Sequence, residues 1–374
     1  MQFGGTLFEF FSSIPDPRVE RSRRHLLIEI IVIAICAILC GADSWVEVAL
    51  FGRAKQEWFK TFLKLPNGIP SHDTFGRVFA LLDAEVFERS FENWVASIAL
   101  LVGGDVVAID GKTVRRSHPN NDGTFPLHLV SAFATKNGLS LGERKIDTKS
   151  NELKAIPKLI EILNLAGCTV TIDAAGCYKE ILKTLIKTRA NYVIAVKNNQ
   201  PKLFKDIKNL FESCRDSTTD KAKETDRSHG RVVTRECEII NDQEKLRSIR
   251  NRDSWGLNCI IKITNTRKIK TRVSKETRFY ISNLANTTAE NILAIVRAHW
   301  RIENSLHWIL DIAYREDESR IRTGYAQQNF ALIRKITLNL LKRELTVKAG
   351  IKAKRLNAGW DHDYLLGALG IKMR

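Results

Sequence analysis

Apolar positions in the first hundred residues recur at helical spacing, and capping or turn residues separate the runs. Residues 25–40 are apolar on nearly every face, which predicts a buried helix. Ser44 with Glu47 three positions on forms a capping box that opens a helix toward Phe51. A further amphipathic stretch covers about 54–63. Pro66 and Pro70 break the chain, and Ser71 caps a helix over 73–82. From residue 105 the period changes. Runs at 106–110, 128–135, 140–146, 168–173 and 192–197 read as strands, with Gly138 turning a hairpin and helices over 152–163 and 179–188.

Three sequential strands followed by alternating helices predict a mixed sheet whose first, fourth and fifth strands run parallel. That is the order of an RNase H-like fold. After Gln200 the pattern loosens, with a polar stretch over 215–231 expected as an exposed loop and strands at 232–240, 257–264 and 278–282. Asn286 to Thr288 offer caps for a long helix reaching about Tyr314, and the chain from Ala331 reads as helical and basic. The expected class is therefore α/β. An N-terminal helical domain spans 1–100, and an RNase H-like mixed-sheet catalytic core spans 101–345. A β-rich insertion covers about 201–285, and a basic tail covers 346–374. The short front helices with Arg77 fit either a helix-turn-helix, with one helix in a major groove, or a plain bundle.

Charge narrows the partner. Fifty-nine Lys and Arg against 42 Asp and Glu give +17, which favours a polyanion, either nucleic acid or an acidic membrane surface. No basic-faced apolar surface helix stands out, and the apolar run 30–42 is far short of the roughly 20 residues that span a bilayer. No basic leader with a cleavage site opens the sequence, so a cytoplasmic, nucleoid-associated protein is expected. Seven scattered cysteines without paired zinc spacing are expected to be reduced thiols.

Two strands end in an acid: Val106-Val107-Ala108-Ile109 in Asp110, and Thr169-Val170-Thr171-Ile172 in Asp173. The carboxyl edge of a parallel sheet is where open α/β sheets bind ligands, although a lone Asp there more often caps the following turn. Downstream, His299, Glu303, His307 and Asp311 recur every four residues and form one polar stripe on a helix. Glu303 on that stripe is expected to meet the two aspartates. Three carboxylates suit two Mg²⁺ ions, with Mn²⁺ as a substitute, and in-line displacement at a phosphodiester. A zinc- or iron-dependent hydrolase using His299 and His307 is the rival, without an H-E-x-x-H signature to support it.

Further blocks accompany these acids. They are Ile109-Asp110-Gly111-Lys112, His128-Leu129-Val130-Ser131-Ala132-Phe133, Lys149-Ser150-Asn151-Glu152 with Ala155-Ile156-Pro157, Thr171-Ile172-Asp173-Ala174 and His299-Trp300-Arg301-Ile302-Glu303-Asn304. At the front stand Ile14-Pro15-Asp16-Pro17-Arg18 and Ser71-His72-Asp73-Thr74-Phe75. Together they resemble the bacterial DDE transposases of the H-repeat-associated insertion-sequence family over nearly the whole chain. The resemblance implies a catalytic triad of Asp110, Asp173 and Glu303 holding divalent metal, and DNA strand cleavage and transfer. Val296, His299 and Leu310 stand where the broader superfamily has Tyr, Arg and Lys, so phosphate contacts tied to that signature are not carried over. The substrate implied is double-stranded DNA, as transposon ends and target, with a homodimer when two ends are paired. Lys112, Arg115, Arg116, Lys197, Arg301, Arg320 and Arg322 flank the acids and are candidate phosphate contacts, against the bland reading of solvated surface charge. The basic run 262–278 is a collective candidate for DNA contact, or else a flexible hairpin. A transposase-derived DNA-binding protein that no longer cuts is the second class.

Overall fold

A helix that is apolar all round has to be covered on every side. In the computed structural model, which describes residues 7–117, 126–146, 152–214, 220–228, 230–253 and 256–371, that helix is α2 (Leu27–Leu39), with Ile30 to Leu39 all at zero exposure. Around it lie α1 (Leu7–Ser12), α3 (Trp45–Ala54), α4 (Gln56–Lys60), α5 (His72–Leu81) and α6 (Ala84–Ile98). The capping box is complete: Glu47 N donates to Ser44 Oγ at 3.3 Å, and Ser44 N donates to Glu47 Oε2 at 3.0 Å. Ser71 caps α5 as expected, while α4 is much shorter than the stretch 54–63. Lys149, Ser150 and Asn151 of the resemblance, and Arg215 to Thr219 of the expected loop, lie outside the described residues.

The core follows in the order β1 (Val106–Thr113), β2 (His128–Ala134), β3 (Leu139–Ile146), α7 (Glu152–Ile162), β4 (Thr169–Ile172), α8 (Lys179–Lys187) and β5 (Asn191–Val196). Next come α9 (Pro201–Ser213), β6 (Asp220–Ser228), β7 (Arg231–Ile240), α10 (Gln243–Asp253), β8 (Cys259–Ile269), β9 (Arg272–Ser282) and α11 (Ala289–His299). The described strands make one nine-stranded sheet, β3-β2-β1-β4-β5-β9-β8-β7-β6. β1, β4 and β5 run parallel, and every other neighbour is antiparallel.

The segment 201–285 is thus continuous with the core, because β9 pairs with β5 and carries the sheet onward. It also contains two helices, α9 and α10, beside the strands of the expected β-rich insertion. Residues 220–228 of the expected polar loop are a strand, β6, which alternates half-buried and exposed positions without an apolar face. Cross-strand charge supports this edge, with Lys223 at 2.9 Å from Glu236 and Glu224 paired to Arg297 of α11. The far half of the sheet buries α11. Cys237, Ile239, Ile261 and Ile263 pack with Ala289, Ile292, Leu293 and Ile295 into a second apolar cluster.

The chain ends in α12 (Trp308–Tyr314), α13 (Ala326–Arg343), α14 (Ile351–Trp360) and α15 (His362–Leu369). The basic charge expected for this stretch divides between surface and core, with Arg343, Lys348 and Lys352 exposed. Arg334, Lys335, Lys354 and Arg355 are all buried. Lys335 pairs with Glu143 of β3, Lys354 donates to Leu341 O at 3.0 Å, and Arg355 Nη2 donates to Ile38 O at 2.7 Å. α13 also carries Asn329, whose amide donates to Phe79 O and Leu82 O at the end of α5. No helix among the described residues is long and apolar enough to cross a membrane.

The Lys335–Glu143 pair is 2% and 1% exposed, so breaking it strands a charge in the core. Lys335→Met is expected to cost about 3–5 kcal/mol in urea unfolding, whereas Lys335→Met with Glu143→Leu recovers most of that loss. Equal losses in the two variants would show that the charges are not coupled.

Candidate metal centre

The parallel ladder between β1 and β4 ends at the pair Ile109–Ile172, so Asp110 and Asp173 are the next residues on adjacent strands. Beyond that point the chains part. β1 continues against β2 to Thr113, while Asp173 Oδ1 accepts from Ala175 N at 2.9 Å and caps a single 3₁₀ turn, Ala174–Gly176. The divergence opens a pocket of about 470 Å³ lined by both aspartates with Gly111, Thr113, His128 and Glu152.

The helical stripe arrives from the other side. Thr288 caps α11, and between α11 and α12 the helix widens into a π turn over Glu303–His307 where one continuous helix was expected. The reason is geometric: in an α-helix each four-residue step advances roughly 40° around the axis, so four such residues drift off one face. A wider turn in the middle takes back part of that drift. His299, His307 and Asp311 reach partners on the sheet, while Glu303, more than half exposed, pairs with His307. His299 Nδ1 lies 3.0 Å from Thr171 Oγ1, His307 Nδ1 lies 3.1 Å from Glu303 Oε2 and 3.8 Å from Asp110 Oδ2, and Asp311 pairs with Lys112.

Asp110, Glu303 and His307 present ligand atoms that all lie within 4.8 Å of one another. Asp173 is not in that group; it shares the pocket with Asp110 and acts on it through charge. Burial above all, then the negative charges of Asp173, Glu303 and Glu152, push the Asp110 carboxyl up to about 7 against the lowering effect of the Gly111 N–H. A cation beside Asp110 would favour its ionised form, and carboxylate oxygens suit a hard divalent ion. Burial lowers the His307 pKa, and facing a carboxylate its Nδ1–H must donate. Its Nε2 is buried without a partner among the described residues. The zinc or iron alternative needs His299 and His307 together, yet eight residues of helix separate them by about 12 Å.

Lys112 departs from its expected role as a phosphate contact. It is 12% exposed and held by Asp311 and, at 2.7 Å, by Glu316. Burial alone would raise the Glu316 carboxyl, but Lys112, Lys335 and Arg334 hold it down to about 2. Lys112 is two residues from Asp110 and Asp311 eight from Glu303, so this half-buried pair fixes β1 against the stripe. The other expected bases are exposed. Arg115 reaches Asp317 at 3.2 Å, the Arg322 guanidinium donates to Arg116 O at 3.2 Å, and Arg301 and Arg320 face solvent. Lys197 lines a second pocket beside Asp173, with Arg278 and Trp300.

Glu152 and His128 were not among the expected site residues. His128 Nε2 lies 2.8 Å from Glu152 Oε1, and its Nδ1 lies 2.7 Å from Thr113 Oγ1. A Cβ at Gly111 would come within 3.0 Å of His128 and 3.1 Å of Glu152, so this pair closes on the backbone beside Asp110. Local periodicity carries no sign of it, because the three groups come from β1, β2 and α7.

Comparisons agree on what this chain is similar to. The family described as Transposase DDE domain matches residues 102–340, and the family described as DDE_Tnp_1-associated matches 8–95. A protein named "Putative transposase YncI" from Escherichia coli is 36% identical over 96% of this chain and 93% of its own length. Another from Escherichia coli, "H repeat-associated putative transposase YhhI", is 35% identical over 97% of each. A solved piggyBac transposase synaptic complex with hairpin DNA aligns with 97% of this chain and 80% of that one, at 10% identity and a TM-score of 0.44, too distant to argue from.

The raised Asp110 pKa makes a signed prediction. From an ordinary value of 3.8 to about 7, the folded chain keeps a proton that the unfolded chain has released. With divalent ions chelated, stability relative to Asp110→Asn is expected to fall from about pH 4 to about pH 7 and level off above, by about 2–3 kcal/mol after solvent screening. Urea melts across that range check it; parallel curves for the two proteins would refute it.

Proposed function

The chain belongs to the Transposase DDE domain family, and on that premise we propose that Asp110, Asp173 and Glu303 are its metal-holding catalytic triad. The strand order β3-β2-β1-β4-β5, with its parallel centre, supports an RNase H-like core in which both aspartates stand at the carboxyl edge. One observation carries the assignment. Asp110 has Glu303 and His307 within ligand reach and Asp173 in the same pocket, an arrangement of oxygen and imidazole donors that suits a divalent ion.

Divalent ions, Mg²⁺ or substituting Mn²⁺, would supply Lewis acidity at the phosphodiester and lower the pKa of a bound water or DNA 3′-hydroxyl. The protein's own groups do the rest. Asp110 sits between Asp173 and Glu303 and can serve both, while His307 holds the Glu303 carboxylate by its Nδ1–H. Arg115, Arg116, Arg320 and Arg322, on two loops joined by the Arg322–Arg116 contact, would position phosphates with Arg301 and Lys197. The substrate is double-stranded DNA, first the element's ends and then the target, and two copies of the chain would pair the two ends. The protein acts in the cytoplasm, on the nucleoid. Three acids gathered at one site favour this reading over a derived DNA-binding protein that no longer cuts.

The test uses the DNA that flanks the gene on both sides, carried on a plasmid. Strand cleavage is expected with Mg²⁺ or Mn²⁺ and not with EDTA. Asp110→Asn, Asp173→Asn and Glu303→Gln are each expected to lower it by about a hundredfold to a thousandfold or more, with DNA binding retained. Cleavage at the parental rate by any of the three would remove that residue from the triad.

A further inference from the structure

Two front-end sequence blocks have no part in the triad chemistry, and they meet in space. Arg18, which closes the first block, and Ser71 and Thr74 of the second lie on opposite walls of a groove of about 490 Å³. On one wall the chain from Asp16 to His25 folds over its own guanidinium groups. Arg18, 7% exposed, grips Asp16 through Nε at 2.9 Å and Nη2 at 2.6 Å, and its Nη2 also donates to His25 O at 2.7 Å. Arg23 Nε donates to Arg18 O at 2.8 Å and Arg23 Nη2 to Asp16 O at 3.1 Å, which completes the fold of this segment. With Arg18 buried and Arg23 bonded to the backbone of its own segment, Arg21 and Arg24 are exposed and line the groove.

The other wall is the start of α5, where Ser71, Thr74 and Arg77 line the opening. Its first-turn N–H groups add a partial positive charge. The lining contains no carboxylate: Asp16 is committed to Arg18, and Asp73 lies outside the lining with His72 at 3.4 Å. Beneath the groove, Arg18 Nη1 is buried with no partner among the described residues. An orphaned buried guanidinium donor calls for an explanation, and an anion held above it provides one.

We propose that this groove between the Asp16–His25 segment and the start of α5 is a second DNA contact that clamps backbone phosphates apart from the acidic pocket. It rests on the reading of DNA as substrate and adds where the helical domain holds it. The fold links the two sites. Tyr325 N donates to Ala80 O at 3.1 Å at the far end of α5, and the loop before Tyr325 carries Arg320 and Arg322, the latter bonded to the segment after β1. α5 is about 15 Å long, roughly four nucleotide steps along one strand, so one duplex reaches both ends.

The test is anisotropy of a labelled 30-base-pair duplex with the full chain in EDTA, across a series of KCl concentrations. EDTA separates it from catalysis, and Asp110→Asn is expected to bind like the parent. The variant Arg21→Ala/Arg24→Ala/Arg77→Ala removes three exposed charges; Lys183→Ala/Lys202→Ala/Lys205→Ala removes three elsewhere. The groove variant is expected to bind more weakly, with a log–log salt slope shallower by about two to three, and the control to keep the parental slope. Both should melt at the parental temperature. Equal slopes for the groove variant and the control would overturn the proposal even if metal-dependent cleavage were intact. Loss of cleavage by the triad variants with the slopes unaltered would concern only the acidic pocket.

Discussion

Lys112 on β1 and Asp311 on α12 belong to elements almost two hundred residues apart, and their half-buried ion pair, closed by the buried Glu316, sets the register between sheet and helix. Everything at the acidic pocket follows from that register. A shift of β1 against the stripe would move Asp110 away from Glu303 and His307 and leave Lys112 without carboxylates. Buried ion pairs seldom add net stability over apolar packing, but they penalise every misaligned alternative heavily. Here the alignment they impose is the one that brings like charges together above.

The two layers of charge have opposite character. Below, Lys112, Glu316, Lys335 and Glu143 alternate in sign, and Glu316 is held ionised down to about pH 2. Above, burial first and then the neighbouring acids raise the Asp110 carboxyl to about 7, against the Gly111 N–H that donates to it. A charge-paired foundation supports an upper layer of like charges that a divalent cation would complete. α13 joins the two domains by the same means, since Asn329 holds the carbonyls at the end of α5 while Asn339 bonds both Ser140 N and Ser140 O on β3.

Much of this was legible along the chain because it is local. Asp110 and Asp173 close apolar strands, and the four-residue stripe marks the inner face of a helix without help from distant residues. The π turn was not legible, since spacing of four suits an α-helix equally well. Within the segment after Gln200, Leu203, Ile207 and Phe211 of α9 do recur every four residues, so that helix carried a signal that the surrounding polar sequence masked. β6 and α10 carried little: β6 has no apolar face, and α10 buries little beyond Leu246 and Ile249. The burial of Lys335 and Arg355 depends on Glu143 and Ile38, 192 and 317 residues away, and no local pattern reports such partners. Glu152 and His128 were hidden for the same reason.

The most direct measurement is anomalous diffraction from crystals of the full chain soaked in Mn²⁺. A strong anomalous peak within bonding distance of the Asp110 carboxylate, shared with Glu303 or Asp173 and lost in Asp110→Asn, is the predicted result. Manganese bound elsewhere on the molecule, with none at Asp110, would contradict the account.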